Sequence, residues 1–371
     1  MHAPKPSPEI RIDELKVSAY TVPTDSPESD GTLQWDKTTI VIAEARAGTT
    51  HGLGYTYADA SVAALIHGKL REVVRGCDAM NIPETHNKLV HAIRNLGRAG
   101  ITATAISAVD IALWDVKARI LGLPLIRLLG AARDGISVYG SGGFTSYSDE
   151  QLGNQLGGWA SAGFSMVKMK IGREPERDPH RVACAREAIG DRVALFVDAN
   201  GAYSRKQALA FAQQFKNEFD VSWFEEPVSS DDLEGLRLIR DRGPAGMDIA
   251  AGEYGYDPFY FRRMLDAEAV DILQADATRC GGITGFLNVD AQCLARPIPL
   301  SAHTAPSVHM HLCCAARSAR NLEYFHDHER IESLFFDGYI KPQNGILRPD
   351  LSRPGLGLEL RRADVQRYAV S

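Results

Sequence analysis

The alternation of apolar and polar positions changes character near residue 135 and divides the chain into two portions. In the first portion, apolar alternation predicts strands over residues 11–22 and 38–46. The polar segment between them, residues 23–37, is too long for a hairpin turn, and we interpret it as either a functional lid or a disordered surface loop. Residues 51–59, rich in glycine and tyrosine, predict a second loop.

A helical spacing of apolar residues follows from residue 60 to residue 130 and is clearest from residue 101 onward. There it predicts an amphipathic helix that Gly122 and Pro124 end. The predicted apolar stripe consists of Ile101, Ala105, Ala108, Ala112, Val116 and Ile120. The first portion is therefore predicted to be α+β.

The second portion repeats short apolar runs that alternate with segments of helical pattern. Such alternation indicates βα units and a parallel sheet, and eight runs at near-constant spacing favour a (β/α)8-type barrel. No long helix is predicted after the last run, and the tail "PGLGLELRRADVQRY" is expected to pack back on the first portion. The runs are "ISVYG", "MVKMK", "VALFVDAN", "VSWFEEP", "DIAAGE", "DILQAD", "IPLSAH" and "NLEYF".

Composition and charge narrow the class of protein. With 371 residues, 44% hydrophobic and 24% charged, the chain is typical of a soluble enzyme with a large core. The net charge of −6 argues against a nucleic-acid partner, and no apolar run of about 18 residues predicts a membrane span. The start "MHAPKPSPEIRIDEL" lacks the apolar core of a signal peptide, and the six cysteines form no CxxC pair. We therefore expect reduced thiols and a cytoplasmic location.

Chargeable residues stand at the end of each later run, at intervals of 20 to 28 residues. In an α/β barrel the carboxyl ends of the strands form the active-site face, so one mouth would collect all of these groups. They are Lys170, Asp198, Glu225, Glu253, Asp276, His303 and Glu323.

Three of these residues are carboxylates from consecutive predicted strands. Asp198, Glu225 and Glu253 would repel one another without a cation, and all-oxygen ligation suits Mg²⁺, with Mn²⁺ possible. The alternative is that each carboxylate caps a helix or pairs with an arginine. The pattern alone does not decide between Glu225 and Glu226 as the ligand.

The remaining groups suggest proton transfer. Lys168 and Lys170 lie on one face of their strand, and like-charge proximity would lower the pKa of Lys170 toward neutrality. Across the ring, Asp276 is placed to fix the tautomer of His303. This arrangement favours acid–base chemistry on both faces of a bound anion.

These motifs together resemble the enolase superfamily and, within it, the mandelate racemase subgroup. The residues that carry the resemblance are "VKMKIG" (167–172), "FVDANG" (196–201), "WFEEP" (223–227), "AGE" (251–253), "DATRCGGITG" (276–285) and "SAH" (301–303). The segments "SAVDIALWDVKARILGLPLIRLLG" (107–130) and "PGLGLEL" are also similar. The resemblance implies an N-terminal α+β capping domain (1–132), a (β/α)7β modified TIM barrel (133–330) and a C-terminal segment (331–371) that packs on the cap.

The resemblance also implies roles for the site residues. It makes Asp198, Glu225 and Glu253 the magnesium ligands, which selects the first glutamate of "EEP". Asn200 matches a position near the ligands, and Glu323 matches one that hydrogen-bonds the substrate carboxylate if it is protonated.

The acid–base groups implied are Lys170, tuned by Lys168, and His303, supported by Asp276. Removal of a proton α to a carboxylate would give an enediolate stabilised by Mg²⁺. Loss of a β-hydroxyl then gives dehydration of an acid sugar to a 2-keto-3-deoxy acid, the leading hypothesis. The alternatives are a racemase or epimerase of a 2-hydroxy acid, a sugar-acid cycloisomerase, and a non-catalytic ligand-binding relative. The expected partners are a small carboxylate substrate and further copies of the chain in a homo-oligomer.

Other motifs are given structural or specificity roles. "HMHLCCA" and "FHDHE" are interpreted as structural or surface segments, with His326 or His328 possible at the cavity. "RCGGITG" lacks dinucleotide spacing and is interpreted as a βα turn. Trp35, Tyr55 and Tyr57 are candidates for contact with a substrate.

Overall fold

The computed structural model describes residues 9–370, and the first residues of the proline-rich start lie outside the described part. Its N-terminal portion opens with a three-stranded antiparallel sheet of β1 (Glu14–Ser29), β2 (Gln34–Ala47) and β3 (Thr50–Tyr57) in the order β1-β2-β3. The helical part comprises α1 (Ser61–Leu65), a π-helical turn (Ile66–Leu70), α2 (Arg71–Val74), α3 (Ile82–Ala92), α4 (Ile101–Ile120) and α5 (Leu125–Leu129).

The long polar loop predicted over residues 23–37 is wrong. Strands β1 and β2 continue through most of it as a two-stranded ribbon, with an irregular register between Pro23 and Glu28, and only residues 30–33 turn. β1 is an edge strand, a position in which a sheet tolerates prolines.

The loop predicted over residues 51–59 is also wrong, because residues Thr50–Tyr57 form β3. Its glycines permit the strand to lie directly on α4: a Cβ on Gly54 would be 2.2 Å from the carbonyl oxygen of Ala108. The helix itself is buried nearly all round instead of along one stripe, since β2, β3, α1, α3 and α11 (Gly282–Ala295) all pack on it. Ile101, predicted for the stripe, is 47% exposed at the helix start.

The second portion is a closed parallel barrel, as predicted, and all eight apolar runs form its strands. Neighbouring strands pair in parallel around the ring, and the last strand pairs with the first to close it. The strands are β4 (Ile136–Gly142), β5 (Met166–Lys170), β6 (Ala194–Asp198), β7 (Val221–Glu225), β8 (Asp248–Ala251), β9 (Ile272–Ala275), β10 (Leu300–Ala302) and β11 (Ala319–Phe325).

Seven helices connect these strands, and the barrel is therefore of the (β/α)7β type. They are α6 (Asp149–Ser161), α7 (Asp178–Ile189), α8 (Arg205–Phe219), α9 (Leu233–Arg242), α10 (Pro258–Asp266), α11 and α12 (Pro306–Ala315). Contrary to the sequence prediction, a ten-residue helix, α13 (His326–Phe335), follows the last strand. The remaining elements are β12 (Phe336–Asp337), β13 (Ile346–Leu347), β14 (Glu359–Leu360), α14 (Arg362–Val365) and a 3₁₀ turn (Gln366–Tyr368).

The strand alternation of the barrel separates two apolar layers. Side chains such as Val167 and Met169 point outward into the layer beneath the helices. A smaller group on the inward faces closes the barrel below the carboxyl ends of the strands, and Phe196 stacks on Trp223 with ring centroids 4.9 Å apart. The charged strand ends therefore stand on an apolar floor.

Buried carboxylates of α4 fasten the N-terminal portion to the barrel and the tail. The side chain of Asp115 accepts hydrogen bonds from the backbone of Leu53 in β3 (2.7 Å) and of Leu356 in the tail (2.6 Å). One turn earlier, Asp110 accepts bonds from the backbone and hydroxyl of Thr284 in α11, at 3.0 and 2.6 Å. The tail thus contacts the first portion, as expected, while the domain boundaries at 132 and 330 stay predictions.

Replacing Asp110 with alanine tests this fastening. The substitution leaves the partly buried N–H of Thr284 and the ring of His86 without their acceptor, so we expect the free energy of unfolding to fall by about 3 kcal/mol. The control is Asp248→Ala, which removes a half-exposed ion pair with Arg320 and should cost less than about 1 kcal/mol. Denaturant unfolding measures both, and equal losses would contradict the fastening role of Asp110.

Candidate active site

The predicted strand-end residues converge at one mouth of the barrel. Lys170, Asp198 and Glu225 are the last residues of β5, β6 and β7, and Glu323 lies within β11. Glu253, Asp276 and His303 follow the ends of β8, β9 and β10 within two residues. All seven side chains are buried. The parallel register of the strands brings Lys170, Asp198 and Glu225 together, because these residues are successive partners across neighbouring strands.

The carboxylates of Asp198, Glu225 and Glu253 form a compact trio. One oxygen from each lies within 4.8 Å of those of the other two, and the three side chains are buried. Burial and the charge of Asp198 raise the pKa of Glu225 to about 8. Repulsion of this kind is what a bound cation relieves, and an all-oxygen donor set fits Mg²⁺.

Glu226 is also buried but occupies a strained position beyond the end of β7, with φ of 38°. Its Oε1 has no hydrogen-bond partner among residues 9–370. Burial, Glu253 and Asp198 raise its pKa well above the usual range. Glu225, and not Glu226, has an oxygen close to those of both Asp198 and Glu253. The choice of Glu225 as the metal ligand stays a prediction.

The two lysines are ion-paired with the carboxylates. The Nζ of Lys168 lies 2.5 Å from an oxygen of Glu225 and 2.9 Å from one of Glu323, and the Nζ of Lys170 lies 2.5 Å from Asp198. Burial lowers the pKa of Lys170 and Lys168 adds to this effect, but Asp198 reverses it and the net pKa is raised. Lys168 lowers the pKa of Lys170, as predicted, but the predicted net shift toward neutrality is wrong, because the charge of Asp198 outweighs that of Lys168.

On the other side of the mouth, His303 is paired as expected. Its Nδ1 lies 3.0 Å from Asp276, and its Nε2 lies 3.4 Å from Glu253 and 3.7 Å from Glu323. Burial lowers the pKa of the imidazole, but Glu253 outweighs burial and raises it to about 9. The imidazolium form prevails near neutral pH, which suits a proton donor.

Glu323 is held as a carboxylate, contrary to the protonated state considered for it. Burial raises its pKa, yet Lys168 and His303 lower it to about 2. Its oxygens accept hydrogen bonds from the hydroxyl of Ser141 (2.6 Å) and the backbone of Thr304 (3.2 Å). A role for Glu323 as a hydrogen-bond donor to substrate is therefore not supported.

These groups open into a cavity of about 450 Å³ between the barrel and the N-terminal sheet. The barrel contributes Lys170, Asn200 and His303, while the β1–β2 hairpin contributes Leu33 and Trp35. The backbone N–H of Asn200 donates to Asp198 (2.9 Å), and its side-chain oxygen has no partner within the described part of the chain. The hairpin therefore covers the mouth.

The predicted aromatic contacts divide into two groups. Trp35 and Tyr57 line the cavity, but Tyr55 does not. Tyr55 lies two residues deeper along β3, fully buried, and its hydroxyl donates to Glu332 in α13 at 2.6 Å. It fastens β3 to α13, and its proposed contact with a substrate is wrong.

The histidine-rich motifs also divide. His309 accepts a hydrogen bond from the backbone of Ala277 (2.8 Å), and its other ring nitrogen donates to the carbonyl of Thr304 (2.7 Å), so it supports the loops that carry the acid–base pair. His328 lines the cavity and stacks on Tyr57 with ring centroids 3.4 Å apart. His326 lies outside the lining and pairs with a residue of the hairpin.

Sequence reasoning missed several residues of the mouth. Arg279 lies 3.6 Å from Asp276 and 3.5 Å from Glu253, and it lines the cavity. Arg279 belongs to the motif "DATRCGGITG", and its position just after a predicted strand end could have placed it at the mouth. Ser141 and Thr304 both donate to Glu323, and Thr304 also lines the cavity. The sequence holds no signal for these contacts.

No helix among residues 9–370 is long and apolar enough to cross a bilayer. The six cysteines carry free thiols.

Two family models match the chain. The one described as "Mandelate racemase / muconate lactonizing enzyme, N-terminal domain" matches residues 16–130, and the one described as "Enolase C-terminal domain-like" matches residues 151–365. Together they cover most of the sequence.

Curated relatives and solved structures agree with these matches. L-talarate/galactarate dehydratase of Salmonella typhimurium is 33% identical to this chain, over 85% of this chain and 81% of its own length. The crystal structure of that enzyme liganded with Mg and L-lyxarohydroxamate superposes with a TM-score of 0.90. The superposition covers 100% of this chain and 96% of that one, at 29% identity. The 3,6-anhydro-alpha-L-galactonate cycloisomerase of Streptomyces coelicolor is 30% identical over 97% of this chain and 99% of its own. A mandelate racemase/muconate lactonizing enzyme-like protein from Rubrobacter xylanophilus is 59% identical, with a TM-score of 0.95 over 97% of this chain and 100% of that one.

The docking of the hairpin can be tested at its tip. A Cβ on Gly31 would lie 2.4 Å from the carbonyl oxygen of Ala199 and 2.8 Å from that of Ile171. We expect Gly31→Ala to weaken docking by about 1–3 kcal/mol and to speed amide hydrogen exchange across residues 28–35 by roughly tenfold or more. The control is Gly68→Ala, where no atom lies within 4 Å of the added Cβ. Unchanged exchange in Gly31→Ala would show that the tip does not hold the hairpin.

Proposed function

Because the chain belongs to the mandelate racemase/muconate lactonizing enzyme family of the enolase superfamily, we propose that it is a magnesium-dependent dehydratase of an acid sugar. The observation that carries the proposal is the pair of opposed proton-transfer groups, Lys170 and His303, on either side of a buried carboxylate trio inside one covered cavity.

Magnesium fits the donor set of Asp198, Glu225 and Glu253, and the relative from Salmonella typhimurium was crystallised with Mg. When bound, the ion would supply positive charge next to the substrate carboxylate and so acidify the adjacent C–H bond. The unpartnered side-chain oxygen of Asn200 lies beside this donor set and is available to a ligand or to substrate.

Lys170 is the proposed base for the α-proton. Its amine must be neutral to accept that proton, and its pairing with Asp198 opposes this. A cation held by Asp198 would weaken the effect of its charge on Lys170, and burial together with the positive charge of Lys168 would then favour the neutral amine. Lys168 itself stays charged between Glu225 and Glu323.

His303 is the proposed acid for the leaving hydroxyl. Removal of the α-proton by Lys170 forms a C=C bond, His303 gives its proton to the β-hydroxyl, and the C–O bond breaks with release of water. The resulting enol becomes a 2-keto-3-deoxy acid by proton transfer to carbon. Asp276 holds the imidazole by Nδ1 and leaves Nε2 directed at the cavity.

The second candidate is a cycloisomerase or epimerase that uses the same residues. The support for it is the 30% identity to a cycloisomerase over 97% of this chain. Both reactions need a proton on the imidazole, so the raised pKa of His303 suits either of them. Dehydration is preferred because of the 33% identity to L-talarate/galactarate dehydratase. The cavity is also suited to a small carboxylate and is too small for a macromolecule.

A screen of mono- and dicarboxylic acid sugars with the purified protein and Mg²⁺ tests the function. We expect one or more of them to yield a 2-keto acid, detected with a carbonyl reagent, and we expect a chelator to abolish the product and added Mg²⁺ to restore it. A change in optical rotation without keto acid would favour the isomerase. Neither change with any compound would favour a non-catalytic relative.

Deuterium exchange tests the two proton-transfer groups separately. In D₂O the active protein should incorporate deuterium at the substrate α-carbon, and we expect Lys170→Ala to slow this incorporation by roughly 100-fold or more. His303→Asn should leave α-exchange measurable but remove dehydration. The control is Lys69→Ala at an exposed lysine. Exchange at the wild-type rate in Lys170→Ala would assign the base elsewhere.

A further inference from the structure

A second group of metal-ligating side chains lies where the β1–β2 hairpin meets α13. It consists of Asp25 and Glu28 from β1 and His326 at the start of α13, and we name it the hairpin–α13 cluster. Its three candidate ligand atoms lie within 4.8 Å of one another, and His326 Nε2 is 2.9 Å from Asp25. None of the three lines the catalytic cavity.

Glu28 is the residue of this cluster whose buried negative charge is not balanced by an ion pair of its own. Its side chain is fully buried, one oxygen accepts a hydrogen bond from Trp35 (2.8 Å), and Oε1 has no partner within residues 9–370. The nearby Arg330 donates through Nη2 to Asp327 (2.6 Å) and to the carbonyl of Pro23 (2.7 Å), and its charge compensates that of Glu28 only in part. Burial and the charges of Asp327 and Asp25 raise the pKa of Glu28 to about 8.

A buried carboxylate with an unused oxygen is costly unless a cation or a proton neutralises it. The cluster places a second carboxylate and an imidazole nitrogen at ligand spacing from the Glu28 carboxylate. We propose that the hairpin–α13 cluster binds a divalent transition-metal ion, represented by Zn²⁺, which joins the hairpin to the barrel.

The ligand types separate this site from the carboxylate trio. One imidazole nitrogen and two carboxylate oxygens suit Zn²⁺ or a neighbouring transition ion, with water completing a four-coordinate shell. The trio offers oxygen alone and therefore suits Mg²⁺. A protein saturated with Mg²⁺ retains the proposed site for a softer ion.

The position of the cluster gives the ion a structural consequence. Trp35 connects the two regions, since it lines the cavity and donates to Glu28. Its ring packs edge-on against Phe144, which also contacts Phe325 and His326. An ion held by β1 and α13 would therefore fix the hairpin in its position over the mouth.

Titration of Zn²⁺ into the Mg²⁺-saturated protein tests the site by calorimetry. A surface group of Asp149, His180 and Cys184 can also take Zn²⁺, so the experiment uses a His180→Gln/Cys184→Ser background. We expect one Zn²⁺ per chain, and thermal unfolding should shift upward by a few degrees with Zn²⁺. In the same background, His326→Gln should weaken this binding roughly tenfold or more and remove the thermal shift.

Two further variants make the result decisive. Asp25→Asn removes a half-exposed ligand from the hairpin side and should weaken binding without harming the fold. His91→Gln removes an exposed histidine away from the cluster and should leave binding unchanged. If Zn²⁺ bound at the carboxylate trio instead, its binding would be unchanged in both His326→Gln and Asp25→Asn. Such unchanged binding, or the absence of any Zn²⁺ binding, would overturn the proposal.

Discussion

The balance of buried charge at the barrel mouth is the constraint on which the site depends. Five buried carboxylates (Asp198, Glu225, Glu253, Asp276 and Glu323) and the ammonium groups of two buried lysines lie above the apolar layer that closes the barrel. Lys168 is the central element, because it contacts Glu225, Glu323 and Asp198 and lies 5.3 Å from the ring centroid of Tyr139 below it. With one ammonium fixed in this way, the second lysine is the one that can change its protonation state during a reaction.

The N-terminal portion maintains this constraint by closing the mouth. Its attachment includes polar contacts of buried side chains: Asp110 with α11, Asp115 with β3 and the tail, and Tyr55 with Glu332. Each satisfies groups that would otherwise be buried without partners, so separation of the two portions is costly. The electrostatics of the site therefore depend on the packing of α4, because an open mouth would hydrate the charged groups and weaken the interactions between them.

The barrel and the ring of strand-end groups could be predicted from the sequence, because both follow from the regular spacing of the apolar runs and from their order along the chain. Apolar runs at near-constant spacing specify parallel strands, and parallel strands bring their ends together whatever the loops do. The β1–β2 hairpin was mispredicted because its prolines and acidic residues are typical of loops, and only the edge position of β1 makes them compatible with a strand. Protonation states were also beyond reach: those of Lys170 and Glu323 depend on distances of 2.5 and 2.9 Å between side chains on different strands.

The same geometry explains why the residues of the barrel do not by themselves choose between elimination and isomerisation. Both reactions begin with loss of the α-proton toward Lys170, and they differ in which substrate atom then faces Nε2 of His303. A β-hydroxyl at that position takes the proton and leaves, whereas an α-carbon at that position takes the proton and inverts. The position of the substrate chain depends on the opposite wall of the cavity, where Leu33, Trp35 and Tyr57 come from the N-terminal sheet. We therefore propose that the covering portion determines which reaction occurs, through the orientation of the substrate, while the barrel supplies the proton transfers that both proposed reactions share.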